Sequence, residues 1–407
     1  MMKRLLLAVT GMSPQVVTET LYAIHQRGEA WPDRICLITT ARGKSLVCQR
    51  LKNEGWLNRL AHDLARPALP FSEQDVLVPA GADGQTLDDA RTEADHEAMA
   101  DFITQTVREF TSDEDLTIHA SIAGGRKTMT FYLGYAMSLF GRHHDRLSHV
   151  LVSEGYENSP DFFYPRPGDN RESTIITLAD IPFVRQRNQL PRFLMENLGG
   201  SLSYRQLMNL INLGDTPDRI RLTLSTSDKR LTVRDRQSSG EMDFNATIQF
   251  PNLVLWGFYL LLVEATLEAD DSYTRPTNPT EADLLARMLL RKIHELVGLE
   301  TRAGQSSAEL ASQLLNDDRN LKYLEPELVP PKMIEPFMTR EKGLDRQTFS
   351  NYCNRIGTLL NRYLPANLVG YVQPRPGQQE ERDNGHTKGA GYLLRLPDPS
   401  LQIEIRP

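Results

Sequence analysis

The sequence predicts two parts: a three-layer α/β domain with a mostly parallel sheet, then an α+β domain carrying a helical insertion. Three observations predict this. Short apolar strands alternate with helical segments from residue 1 to about residue 190. From residue 195 onward that alternation gives way to turn-punctuated strands and long helices. Two strand-to-helix junctions in the first part combine glycine, hydroxyls and basic residues, as ligand loops of open α/β sheets do.

Leu5–Val9 is a continuous apolar run, which suits a strand buried on both faces. The loop Thr10-Gly-Met-Ser-Pro-Gln15 follows, with Ser13 as expected N-cap and Pro14 as first helical residue of a helix ending near His25. Arg34–Thr39 reads as a strand, Lys44–Asn58 as a helix, and Asp75–Val78 as a short strand before the loop Gly81–Gly84. Asp95–Phe110 is amphipathic, with Met99, Phe102, Ile103 and Val107 on one face. Ile118, Ala120 and Ile122 alternate with polar residues as a strand requires. Gly124 and Gly125 come next, and Arg126, Lys127 and Thr128 open the helix Met129–Phe140. Leu147–Val152 and Thr174–Leu178 are further strands, separated by the Pro-, Gly- and Asp-rich stretch Asn158–Asn170, an expected surface loop or hairpin.

In the second part, Arg219–Leu224, Arg230–Val233 and Phe244–Gln249 alternate as strands. Pro251–Leu267, Thr280–Val297 and Leu344–Leu364 read as helices. Leu368–Val372 is expected to pair with Gly391–Leu396 across a long charged turn from Gln373 to Ala390. Strands, helices and a terminal hairpin with a polar tip follow the order of a winged helix.

Composition narrows the functions. The formal net charge of −7 speaks against a surface that grips nucleic acid over its whole extent. Three cysteines without paired spacing argue against a disulfide framework or a cysteine zinc site and fit a reducing compartment. The Leu5–Val9 run is too short for a membrane span or a signal-peptide core, so a cytoplasmic protein without membrane contact is expected.

The Gly124–Thr128 junction suits an anion. Glycine lets a ligand approach the backbone closely, and a helix N-terminus presents unpaired N–H groups and the positive end of its dipole. Lys127 adds a point charge and Thr128 a hydroxyl. If both loops lie at the carboxyl edge where strand order reverses, Thr10, Ser13 and Gln15 face Gly124–Thr128 in one pocket.

The segments Leu5–Gln15, Ala123–Met129 and Leu178–Val184 resemble the CRISPR-associated Rossmann-fold (CARF) domain, and within it the ring nucleases of type III CRISPR systems. The resemblance covers residues 1–190. It implies a Rossmann-like fold, a homodimer formed through this domain, and a pocket across the twofold axis for cyclic oligoadenylate, usually the four-nucleotide ring. It implies cleavage of that ring, which down-regulates antiviral signalling. A hydroxyl residue of the first loop and a lysine of the second act in such enzymes; Ser13 and Lys127 stand at those positions. Thr10, Gly11, Gln15, Gly124, Gly125, Arg126 and Thr128 are the implied ligand contacts. No metal or cofactor is required, because each ribose 2′-hydroxyl already lies beside its own 3′-phosphate. Residues 195–407 resemble, on looser patterns, a winged helix with an insertion at about 270–340.

Two other functions stay open. One is a DNA-binding regulator responding to the same ligand: residues 331–407 hold eleven Lys and Arg against eight Asp and Glu, yet Glu380, Glu381 and Asp383 fall in the expected wing. The other is a ligand-activated ribonuclease of the HEPN type, with Arg287 and His294 spaced to share a helix face. Arg42, Gly43 and Lys44 open another helix after a strand and are either further phosphate contacts or a solvated helix start.

Overall fold

The computed structural model describes residues 2–81, 84–157, 159–167, 175–196, 202–236, 245–270, 273–316, 328–338, 343–377 and 391–407. The chain divides into two compact units, one of residues 1–190 and 197–205, the other of residues 191–196 and 206–407.

The first unit is built on a six-stranded sheet. In chain order its strands are β1 (Lys3–Val9), β2 (Arg34–Ile38), β3 (Val76–Leu77), β4 (Leu116–Ser121), β5 (Arg146–Val152) and β6 (Ile176–Asp180). They lie in the order β3-β2-β1-β4-β5-β6, the first five parallel and β6 antiparallel to β5. Its helices are α1 (Gln15–Gln26), α2 (Ala41–Val47), α3 (Trp56–Asp63), α4 (Glu93–Ser112) and α5 (Lys127–Phe140). Leu6 and Ala8 pack with Ile35 and Leu37 beneath Val17, Leu21 and Ile24 of α1. Leu5, Leu7 and Val9 alternate to the opposite face, where α5 packs on β1 and α4 on β4. Both faces of β1 are therefore covered, which is why it reads as an unbroken apolar run.

The expected Lys44–Asn58 helix is divided. α2 ends at Val47, a π-helical turn spans Cys48–Asn53, and Gly55 at φ +77° separates it from α3.

The second unit holds a four-stranded sheet of β7 (Ile220–Ser225), β8 (Arg230–Asp235), β9 (Asn245–Gln249) and β12 (Ile403–Arg406), ordered β12-β7-β8-β9. β7, β8 and β9 form an antiparallel meander and β12 runs parallel to β7. After the short helices α6 (Phe193–Glu196) and α7 (Tyr204–Leu213), helix α8 (Leu253–Glu268) is buried almost all round, and α9 (Pro279–Leu296) packs on it. The expected hairpin is a correction. Leu368–Val372 lies in a helix, Ala366–Val372, and what pairs is β10 (Arg375–Pro376) with β11 (Tyr392–Leu393), two residues each. Pro365 caps that helix in extended backbone, so the apolar run after it winds rather than extends. Most of the expected wing, residues 378–390, lies outside the described residues.

Candidate functional site

β1 and β4 are neighbours, and their chains leave the sheet in opposite directions. β1 connects through α1 toward β2, and β4 through α5 toward β5. The loops after these strands therefore flank the switch point of the sheet, where open α/β folds make a crevice. A Cβ placed on Gly11 would sit 3.4 Å from Gly125 Cα. One on Gly124 would meet Val16 Cγ2 at 2.9 Å and the Val9 carbonyl oxygen at 3.1 Å. Thus the two loops pass backbone against backbone, with Gly11 at contact distance from Gly125 and no room for a side chain at Gly124. Gly125 adds φ +85°, a left-handed conformation that other residues adopt only under strain. The loop after β2 joins the row: a Cβ on Gly43 would lie 3.1 Å from the Gly11 carbonyl oxygen and 2.0 Å from Thr39 Oγ1.

Within this frame the site residues part into builders and presenters. Thr10 is wholly buried and donates its hydroxyl to the Ser13 carbonyl at 3.3 Å, fixing the curve of the first loop. Gln15 is buried too, and its amide donates to the Ser159 carbonyl at 3.4 Å. Ser13 is exposed and does not cap α1 as expected. The helix starts at Gln15, after Pro14 has already taken helical backbone angles, and no side chain caps it. Freed of capping, Ser13 stays exposed with its hydroxyl uncommitted to the helix.

In the second loop, Arg126 and Lys127 are both exposed but differ in state. The Arg126 guanidinium grips Asp89 through bonds of 2.8, 2.6 and 2.6 Å, with Arg91 on the same carboxylate at 3.0 Å. Arg126, then Arg91, hold the Asp89 carboxyl down at about 2, well below its usual range. Lys127 opens α5, and among the described residues no ion pair or hydrogen bond engages its ammonium. No side chain caps α5, and neither α1 nor α5 carries an acidic residue in its first turn. The buried Thr128 hydroxyl has no hydrogen-bond partner among the described residues. Two open helix N-termini, one free ammonium and one uncommitted hydroxyl thus share this edge, an arrangement that favours an anion.

The other basic opening differs. Arg42 is paired with Asp88 at 3.0 Å and Lys44 Nζ donates to the Val76 carbonyl at 2.9 Å, so those cations are engaged within the fold. No group of three or more His, Cys, Asp or Glu that could hold a metal occurs among the described residues.

One residue was illegible from the sequence. Glu19, one turn into α1 from the first loop, is 4% exposed, with Oε1 lacking a hydrogen bond among the described residues. Burial, then the neighbouring Glu157, push its carboxyl up to about 8, so it is protonated at neutral pH. The segment bearing Glu157 is fastened to α1 by Thr18 Oγ1, which donates to the Phe163 carbonyl at 2.8 Å.

Residues 13–214 match the family model described as CRISPR-associated protein NE0113. The match supports a CRISPR-associated protein. The matched segment contains Ser13, the whole second loop and Asp89, and begins just after Thr10 and Gly11. No curated protein matches the chain. No described helix is long and apolar enough to cross a membrane.

In the second unit, Arg287 and His294 are not presented to a substrate. His294 on α9 is wholly buried, its Nδ1 2.7 Å from the Leu290 carbonyl oxygen, and Arg287 is paired with Asp283 at 3.1 Å.

Proposed function

We propose that this protein binds cyclic oligoadenylate, the four-nucleotide ring foremost, and opens it without a metal as a ring nuclease. The reading follows from the CARF resemblance. The observation that carries it is the backbone contact between the Gly11 and Gly125 loops, which sets exposed Ser13 and Lys127 on adjoining corners of one sheet edge. A second copy of the chain related by a twofold axis would double Lys127 and match a symmetric polyanion with a symmetric cradle. Exposed Met12 and Val184 provide apolar surface for such a pairing.

The chemistry needs little from the protein. The ribose 2′-oxygen attacks its own 3′-phosphorus, the bond from phosphorus to the 5′-oxygen breaks, and the 5′-oxygen takes up a proton. The products are a 2′,3′-cyclic phosphate end and a 5′-hydroxyl end. Lys127 and the α5 N–H groups stabilise the charge gathering on the phosphoryl oxygens, and the Ser13 hydroxyl donates to one of them or to the ribose. Neither loop contains His, Asp, Glu or Cys, so proton transfer goes to solvent and turnover is slow.

Incubation with cyclic tetraadenylate in the presence of a chelator, with chromatography of the products, tests this. Linear products ending in cyclic phosphate are expected. Lys127→Ala should slow their formation by about 10²-fold or more. Unchanged cleavage by that variant would overturn the assignment.

A further inference from the structure

We propose that the aromatic cluster beginning at Phe131 on α5 is a stacking platform for a purine base of the nucleotide whose phosphate lies at Lys127. This rests on the reading given under Proposed function and adds to it a residue that selects the base.

Lys127, Phe131 and Tyr135 stand at i, i+4 and i+8 and share one stripe of α5. Phe131 is 57% exposed, an uncommon position for a ring of that size on a helix otherwise buried by Met129, Leu133, Ala136 and Met137. It is also not a loose ring. It stacks on Tyr135 with centroids 5.9 Å apart and planes 15° apart, and meets Tyr132 edge-on at 5.7 Å. Both tyrosines meet Tyr204 edge-on, at 5.3 and 6.0 Å. Tyr132 and Tyr135 therefore hold Phe131, braced in turn by Tyr204, while Phe131 itself stays exposed, and little side-chain freedom remains to be lost on binding.

The spacing suits a nucleotide. At 1.5 Å per residue, Phe131 lies about 6 Å along the helix from Lys127, a gap that a ribose can bridge between phosphate and base. The charge pattern suits it as well: a free ammonium at one end of the stripe, no carboxylate in the first turn of α5, then an apolar ring. Stacking on an aromatic face accepts any base, and the wider ring system of a purine covers more of the ring than a pyrimidine does. Adenine would be favoured here by contact area, with no hydrogen-bond code needed.

The test is calorimetric titration of the full-length protein, wild type, Phe131→Leu and Phe131→Trp, at one salt concentration, with cyclic tetraadenylate and with cyclic tetrauridylate. Light scattering of each protein runs alongside. Wild type should prefer the adenylate ring. Phe131→Leu should weaken that ring on the order of tenfold, weaken the uridylate ring less, and so shrink the preference, with molecular mass unchanged. Phe131→Trp should keep it. Equal affinities of wild type and Phe131→Leu for the adenylate ring would overturn the platform while leaving the functional reading intact. An equal loss toward both rings together with a change in mass would overturn it too, marking Phe131 as a contact between copies of the chain. Wild type that binds neither ring defeats the functional reading and this inference together.

Discussion

Two places in this molecule carry a basic residue and a potential catalytic partner, and they meet opposite fates. Ser13 and Lys127 are 114 positions apart, yet lie on loops that touch at the edge of one sheet. Arg287 and His294 sit on one helix at a spacing that suits a shared face, yet His294 lies in the core with its Nδ1 on the Leu290 carbonyl, and half-exposed Arg287 pairs with Asp283. Loops at a strand's carboxyl edge keep backbone donors and side chains open, because neither sheet nor helix uses them. A regular spacing on a well-packed helix is first a packing pattern, and polar groups on it are satisfied locally.

This contrast can be broken or sharpened by experiment. The largest effect belongs to Gly124→Val. Its branches would press on Val16 and on the Val9 carbonyl, so a loss of about 3 kcal/mol in chemical denaturation and loss of ring binding are expected. Next comes His294→Ala, which should cost about 2 kcal/mol through a lost hydrogen bond and a cavity, yet leave ring cleavage per folded molecule unchanged. A selective loss of cleavage would reverse the contrast. Glu19 gives a pH signature. Burial lifts its carboxyl from the ordinary 4.5 to about 8, so the folded state holds the extra proton between them and stability falls as pH rises through that window. Glu19→Gln should flatten the profile of melting temperature from pH 5 to 8. The smallest effect is that of Asp89→Asn. Releasing Arg126 from its carboxylate should tighten anion binding a few-fold at low salt, and added salt should erase the gain.

Most strands and long helices of both units could be read from periodicity, and the adjacency of the two loops from the rule that ligand crevices form where strand order reverses. What escaped reading has physical reasons. Leu368–Val372 is a five-residue apolar run, too short to tell strand from helix, and the proline before it was the overlooked signal. β12 is a four-residue alternation at the chain's end, paired with a strand far away in sequence. Glu19 looks like any helical glutamate, since its burial depends on a segment more than 130 residues away. The hold of Asp89 on Arg126 is likewise a contact between loops, and turns an apparent double cation into a single one. Ser13 reads as a cap because its neighbour is proline, but Pro14 takes up the helical backbone and makes the cap needless.

The file of glycines at positions 43, 11 and 125 has an implication for how this protein can change over generations. A Cβ on Gly43 would press at once on Thr39 and on the Gly11 carbonyl, one on Gly125 would sit on a strained left-handed backbone against Met129, and Gly11 already lies at contact distance from Gly125. Drift in the lineage is thereby channelled: the spine of the crevice stays fixed, while an outward position beside it such as Met12 is the one with room to change and retune what the crevice accepts.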